Sequence, residues 1–345
     1  MDDPLDLLDD LETWRAASPT QQDAAVAAAV GRLGPGWRHE VTASYARGGQ
    51  AHRTATLLHE RSGAALQLLP GGRYRRGKPE DLRADRAHND WSEDKLGYVN
   101  PRPLVRDEVV RPFLLGVAPL EEDPGAGPLL VSWGAARRRL EATPPLRLPS
   151  EAEWEWGCRA GGSTPAEPRG PCADLGPDRS QDDVGLVRGS AQGAGPGPAP
   201  GPGGRPKPER NAFGLEIPRS DLWEWVGEEH VCTYRWKPDM SEDEARGDPG
   251  SDVYHVLRGN GCDDFVFVLH ASDGEPVHHA PGEDLGAVRV ATSLPRAYRP
   301  DRAFEPGERL VHAKFGPGVA LSVRGRKLEV LFDDGQARTL AHGGQ

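Results

Sequence analysis

A chain of 345 residues, 37 % of them hydrophobic, is long enough for two domains and apolar enough for a core. Its 43 glycines and 33 prolines exclude a fold of long helices and forecast many turns. The net charge of −11 argues against direct binding of nucleic acid or anionic membrane, and no apolar run approaches a membrane span. The acidic start "MDDPLDLLDDLE" lacks the basic and apolar regions of a secretory signal. Four scattered cysteines (Cys158, Cys172, Cys232, Cys262) without a C-x-x-C make no disulfide framework. The expectation is a soluble cytoplasmic protein with reduced thiols.

Residues 1–50 are expected to form a helical extension. "PLDLLDDLETW" carries apolar residues at helical spacing, and "SPTQQDAAVAAAVGRL" has Ser18 as a cap and Pro19 at the first helical position. A main domain is expected over 51–299. It opens with "TATLLHERSGAALQLLPGG", two strands joined at Arg61-Ser62-Gly63 and closed by a Pro-Gly-Gly turn. Residues 78–100 read as a polar loop. "VVRPFLLGVAPL" reads as one apolar strand and "SWGAARRRLEA" as a short helix.

The stretch "RLPSEAEWEW" follows. Ser150 and Glu153 form a capping box, so a helix is expected from Glu151 to about Cys158. Glu151 and Glu155 fall on one face of that helix and Trp154 with Cys158 on another, while Trp156 points elsewhere. The two tryptophans should therefore anchor the helix in two directions. The tripeptide recurs as Trp223-Glu224-Trp225. Between the two lies an insertion over 191–208, of which "AQGAGPGPAPGPGG" has ten glycines or prolines in fourteen residues and cannot pack. The tail, 300–345, alternates apolar and polar residues between turns at Phe315-Gly-Pro-Gly, Arg324-Gly-Arg and Asp333-Asp-Gly. Four or five short strands curled into a small barrel are expected there. From Asp301 onward seven Lys/Arg stand against six Asp/Glu, so the tail is a separate electrostatic unit.

"PGGRYRRG", "RLPSEAEWEWGCRAG", "NAFGLEIPRSDLWEW", "YHVLRGNG" and "AVRVATSLP" occur in an order that resembles the formylglycine-generating enzyme (sulfatase-modifying factor) family over about residues 60–295. The resemblance implies an α+β, loop-rich, C-type-lectin-like fold in which the Trp-Glu-Trp segments are framework. It also implies a copper(I) site made by two cysteines after the Arg-Gly motif. Here "RGNGCDDFVFVLH" supplies Cys262 alone, near Arg258, Asp263 and Asp264, and a lone thiolate is a poor copper(I) site. The implied calcium position is degraded. Ile217 stands where the family carries Asp or Asn, leaving Glu224 and Asp221 as the remaining oxygen donors. A branch of the family uses histidine-bound iron, but His39, His52 and His59 lack the His-x3-His-x-Glu spacing. The adjacent pair His278-His279 would point to opposite faces of a strand.

The tail, about 306–341, resembles the Tudor/SH3-like module of UvrD/PcrA-type helicases through "GERLVHAKFGPGVALSV" and "LEVLFDDGQARTL". No helicase phosphate loop accompanies it. What the resemblance implies is a contact module for a protein partner. Three expectations follow: a catalytically degenerate family member acting as a binding module; a metal-dependent oxidoreductase acting through Cys262 on a thiol substrate; or a transcription- or DNA-repair-associated factor recruited through the tail.

Overall fold

The architecture comes from a computed structural model, which describes residues 3–76, 106–123, 125, 127–162, 209–217, 222–230, 254–259, 265–270 and 286–343. A 3-10 helix (Pro4–Asp9) leads into α1 (Leu11–Ala16) and α2 (Pro19–Leu33). Strands β1 (Trp37–Arg47), β2 (Gln50–His59), β3 (Ala64–Leu69), β4 (Gly72–Arg76), β5 (Arg106–Val110), β6 (Phe113–Gly116) and β7 (Leu130–Val131) follow. Next come α3 (Trp133–Glu141), α4 (Glu151–Cys158), β8 (Trp223–His230), β9 (Tyr254–Gly259), β10 (Phe265–His270), β11 (Gly286–Ala287) and β12 (Ala291–Ser293). The chain closes with β13 (Arg296–Ala297), β14 (Arg309–His312), β15 (Gly316–Arg324), β16 (Lys327–Phe332) and β17 (Ala337–Ala341).

The fold is mixed α and β, built from several sheets. One has the order β1-β2-β3-β6-β12, a second β10-β9-β8-β11-β7, and a third β13-β14-β15-β16-β17, with a two-stranded β4-β5 ladder beside them. Local chemistry explains many boundaries. Ser18 and Gln21 form a reciprocal capping box at α2, and Ser132 caps α3. The turn Arg61-Ser62-Gly63 joins β2 to β3, with Gly63 at φ +70°.

Three expectations are corrected. The run "VVRPFLLGVAPL" is not one strand. Pro112, which has no N–H to give a ladder, divides it into β5, paired with β4, and β6, paired with β3 and β12. Residues 1–50 are not a separate helical extension. β1 pairs with β2 along its length, and Leu5, Leu8, Leu11, Trp14, Val26 and Ala29 join the same buried cluster as Leu66, Phe113 and Trp156. The tail does not close as a hydrogen-bonded barrel, because no ladder joins β17 to β13. Instead Tyr298, the residue after β13, donates its Oη to Ala341 O of β17 at 2.6 Å. Leu310, Ala320, Leu328, Val330 and Phe332 fill its own small core. The insertion 191–208 and the loop 78–100 lie outside the described residues.

The acidic start has a structural purpose. A 3-10 helix repeats every three residues, so Asp3, Asp6 and Asp9 align on one face while Leu5 and Leu8 are buried. That aspartate row meets arginines from distant sequence. Asp3 pairs with Arg32 at 2.9 Å. Asp6 pairs with Arg302 and, at 3.4 Å, with Arg299. Asp9 lies 3.5 Å from Arg302 and 3.8 Å from Arg296. Glu308 adds contacts to Arg111 at 3.4 Å and Arg296 at 3.6 Å. The row ties the N-terminal segment to the connection leading into the third sheet. Replacing Asp6 and Asp9 together by Ala should cost about 1 kcal/mol, and the gap to wild type should narrow in ~1 M salt. Thermal unfolding at two salt concentrations checks this; equal losses at both would show that the ion pairs contribute little.

Candidate functional site

Helix α4 stands at the centre of the sequence motifs, and its start is fixed by chemistry visible in the chain. Ser150 Oγ accepts from Glu153 N at 3.1 Å, and Glu153 Oε2 accepts from Ser150 N at 2.8 Å. Arg147 then grips Glu153 with both ends of its guanidinium, at 2.7 and 2.6 Å, and reaches Ser293 at 2.9 Å. Burial alone would raise the Glu153 carboxyl. The Arg147 charge and hydrogen bonds outweigh it and hold the group below the usual glutamate range.

The two tryptophans do anchor α4 in two directions. Trp156 Nε1 donates to Pro70 O at 2.9 Å, and Trp154 Nε1 donates to Glu224 Oε2 at 2.7 Å. Glu151 and Glu155, one turn apart, both face Arg258 of β9, whose Nη1 and Nη2 reach them at 3.0 and 2.7 Å. Burial pulls the Arg258 guanidinium down, but the two carboxylates prevail and raise it above the ordinary arginine value. The guanidinium also lies over the Trp154 ring, 5.2 Å from its centroid.

Glu224 and Arg258 are direct cross-strand partners on β8 and β9, yet each is neutralised by a different group. Arg289 supplies the counter-charge for Glu224. Its Nε and Nη2 donate to the two carboxylate oxygens at 2.7 and 2.8 Å. Its remaining donors go to Gly116 O and Val117 O at 2.9 Å each and to Glu216 O at 3.2 Å. A guanidinium with every N–H placed and 2 % exposure joins β8, the segment before β12 and the end of β6.

These contacts decide the fate of the expected site residues. Glu224, expected as an oxygen ligand for a metal, is fully buried, and both its oxygens are taken by Arg289 and Trp154. A cation there would have to displace a guanidinium, and in this structure Glu224 serves a framework ion pair. Arg258, expected at a ligand-facing loop, is 5 % exposed and holds α4. Ile217 donates its backbone N–H to Glu209 O at 3.0 Å and presents no oxygen ligand from its side chain. Asp221, Cys262, Asp263 and Asp264 lie outside the described residues, as do Cys172, Cys232 and the pair His278-His279. Cys158 is the described cysteine, and it is half-buried.

His39, His52 and His59 do not converge. His39 meets Thr42, His59 meets Ser62, and His52 Nε2 meets Ala160 O at 3.0 Å. Burial pushes the His52 imidazole below its usual range. Among the described residues no three His, Cys, Asp or Glu side chains are grouped as a metal cage. No described helix is long and apolar enough to cross a membrane. A shallow cleft of about 260 Å³ lies between the α3–α4 connection and the third sheet, lined by Leu146, Arg147, Ser293 and Arg309 among others. Glu224, Arg258 and Arg289 do not line it.

Two further roles were not read from the sequence. Asn211 donates to Gly157 O at 2.7 Å and Cys158 O at 3.1 Å, closing the end of α4. Its Oδ1 accepts from Phe213 N and Leu215 N at 3.0 and 3.1 Å. Gly214 adopts φ +81°, and a Cβ there would come within 2.5 Å of Gln67. The signal for Arg289 was present: a lone charge between valines in "AVRVA" has to meet a buried acid.

Removing one side of this network should be far worse than removing both. Arg289→Met is expected to cost about 3–5 kcal/mol, and adding Glu224→Met should recover part of that loss. Urea denaturation of the single and double variants measures it; a double variant no better than the single would contradict the pairing. Glu153 has a depressed folded pKa, so its contribution is present above the ordinary glutamate value and lost as pH falls through the folded one. The stability gap between wild type and Glu153→Gln should be about 2 kcal/mol at neutral pH and should shrink on acidification toward about pH 3. A gap that grows on acidification would reverse the sign assigned here.

Compared with protein-family models the chain matches none, and a search of curated proteins returns no match.

Proposed function

We propose that the chain is a cytoplasmic, catalytically degenerate relative of the formylglycine-generating enzymes that acts as a binding module. In this reading its mixed sheets are a variant of the C-type-lectin-like framework. The observation that carries the proposal is the fate of Glu224. The acid at the position expected to help hold calcium is closed off by Arg289 and Trp154, and so serves the framework. The motifs "RLPSEAEWEW", "NAFGL" and "LWEW" are accounted for by helix caps, buried ion pairs and indole hydrogen bonds. The C-terminal sheet, with its own core, is the element available for a protein partner.

One observation favours a second reading, a thiol oxidoreductase. Cys158 ends α4, the helix whose Glu151 and Glu155 hold Arg258 of β9, so a thiol and a guanidinium meet the same short helix. That reading requires Cys262 as the second sulfur and copper(I) as the metal.

Elemental analysis of protein purified without chelators, with a count of free thiols, separates the two. The binding-module reading expects no stoichiometric copper or iron and four titratable thiols. One copper per chain, with oxidation of a cysteine peptide that Cys262→Ser abolishes, would overturn it.

A further inference from the structure

The third sheet has two faces of different chemistry. Leu328, Val330 and Phe332 of β16 point into the small core. The alternate residues Lys327, Glu329 and Leu331 point outward. Register carries that alternation across the neighbouring strands. Val319, Leu331 and Ala337 form one outward row, and Ser322, Glu329 and Thr339 the next. The last row pairs Arg324 with Lys327. The bulge between Ala320 and Ser322 turns Leu321 out beside the apolar row. Leu321 and Leu331 are 45 % and 42 % exposed, among the few large apolar side chains so open in the described residues.

The basic end is equally unusual. Arg324 and Lys327 sit directly opposite each other, and Arg326 stands in the turn between them; all three are exposed. Like charges in cross-strand register destabilise a hairpin. No acidic side chain pairs with any of the three among the described residues, in a chain whose net charge is −11. Elsewhere in the same sheet Arg309 and Arg338 are matched to Asp333 and Asp334. The hairpin tip is therefore a cost to the free protein that an acidic partner would relieve.

We propose that this outward face docks a protein segment in which bulky apolar side chains are followed by a cluster of carboxylates. The two ends are four residues apart along β16, which sets the separation at about 13 Å. Apolar groups of the segment cover Leu321 and Leu331, and its carboxylates meet Arg324, Arg326 and Lys327. A nucleic acid fits less well. Phosphates have nothing to offer the apolar row, and the remainder of the chain repels them. The proposal rests on the binding-module reading and supplies the chemistry of the partner.

The probe is a fluorescein-labelled synthetic peptide of leucines followed by glutamates, titrated with the full-length chain and read by fluorescence anisotropy. A peptide of the same composition in scrambled order and a duplex oligonucleotide of similar charge are the controls. Binding should weaken at least about tenfold for the scrambled order, for Leu331→Asp, and for the double variant Arg324→Glu/Lys327→Glu. All these positions are exposed, so unchanged thermal unfolding should accompany the losses. Three results would overturn the proposal: no binding of the peptide, equal binding of the scrambled order or of either variant, or tighter binding of the oligonucleotide. Metal content is read separately. Stoichiometric copper would remove the binding-module reading without altering the peptide titration, and lost discrimination would remove the docking face while leaving the metal analysis unchanged.

Discussion

A charged side chain withdrawn from water is costly unless an opposite charge and hydrogen-bond partners replace the water it has lost. This constraint organises the main body. Arg289 spends every donor on Glu224 and three carbonyls, and Arg258 holds two carboxylates of α4. Trp154 links the pairs, giving its N–H to Glu224 and its ring face to Arg258. Through these contacts one helix, strands of two sheets and the segment before β12 are held in a single arrangement.

In a chain so rich in glycine and proline, large side chains with one polar atom do much of the joining. The indoles of Trp14, Trp133, Trp154, Trp156 and Trp225 each donate to a group on another segment. Each buries a broad apolar ring and fixes one direction, which suits a body whose elements are short. The periphery is joined differently. The aspartate row of the 3-10 helix meets arginines near the third sheet through partly exposed pairs, a weaker and more salt-dependent connection.

The α4 region was legible because its determinants are local. A capping box, a four-residue spacing of two glutamates and a two-residue spacing of two tryptophans follow from helix geometry alone. The strands and turns of the tail were legible for the same reason. What escaped depended on distance. Arg258 and Glu224 stand opposite each other in a ladder, and sequence suggested that such polar residues faced a ligand; only the three-dimensional arrangement brings Arg289 to one and α4 to the other. Closure of the tail sheet and the integration of residues 1–50 likewise depend on pairings between remote strands, which local patterns do not encode.

The buried network is tested most directly by hydrogen exchange at the Trp154 indole N–H, followed by NMR with and without calcium. If Glu224 accepts that hydrogen bond inside a closed ion pair, the proton exchanges only on global unfolding, and calcium leaves both its rate and its resonance unchanged. Exchange orders of magnitude faster than global unfolding, or a resonance that moves in proportion to added calcium, would mean that the Glu224 carboxylate is open to a metal and that the framework assignment is wrong.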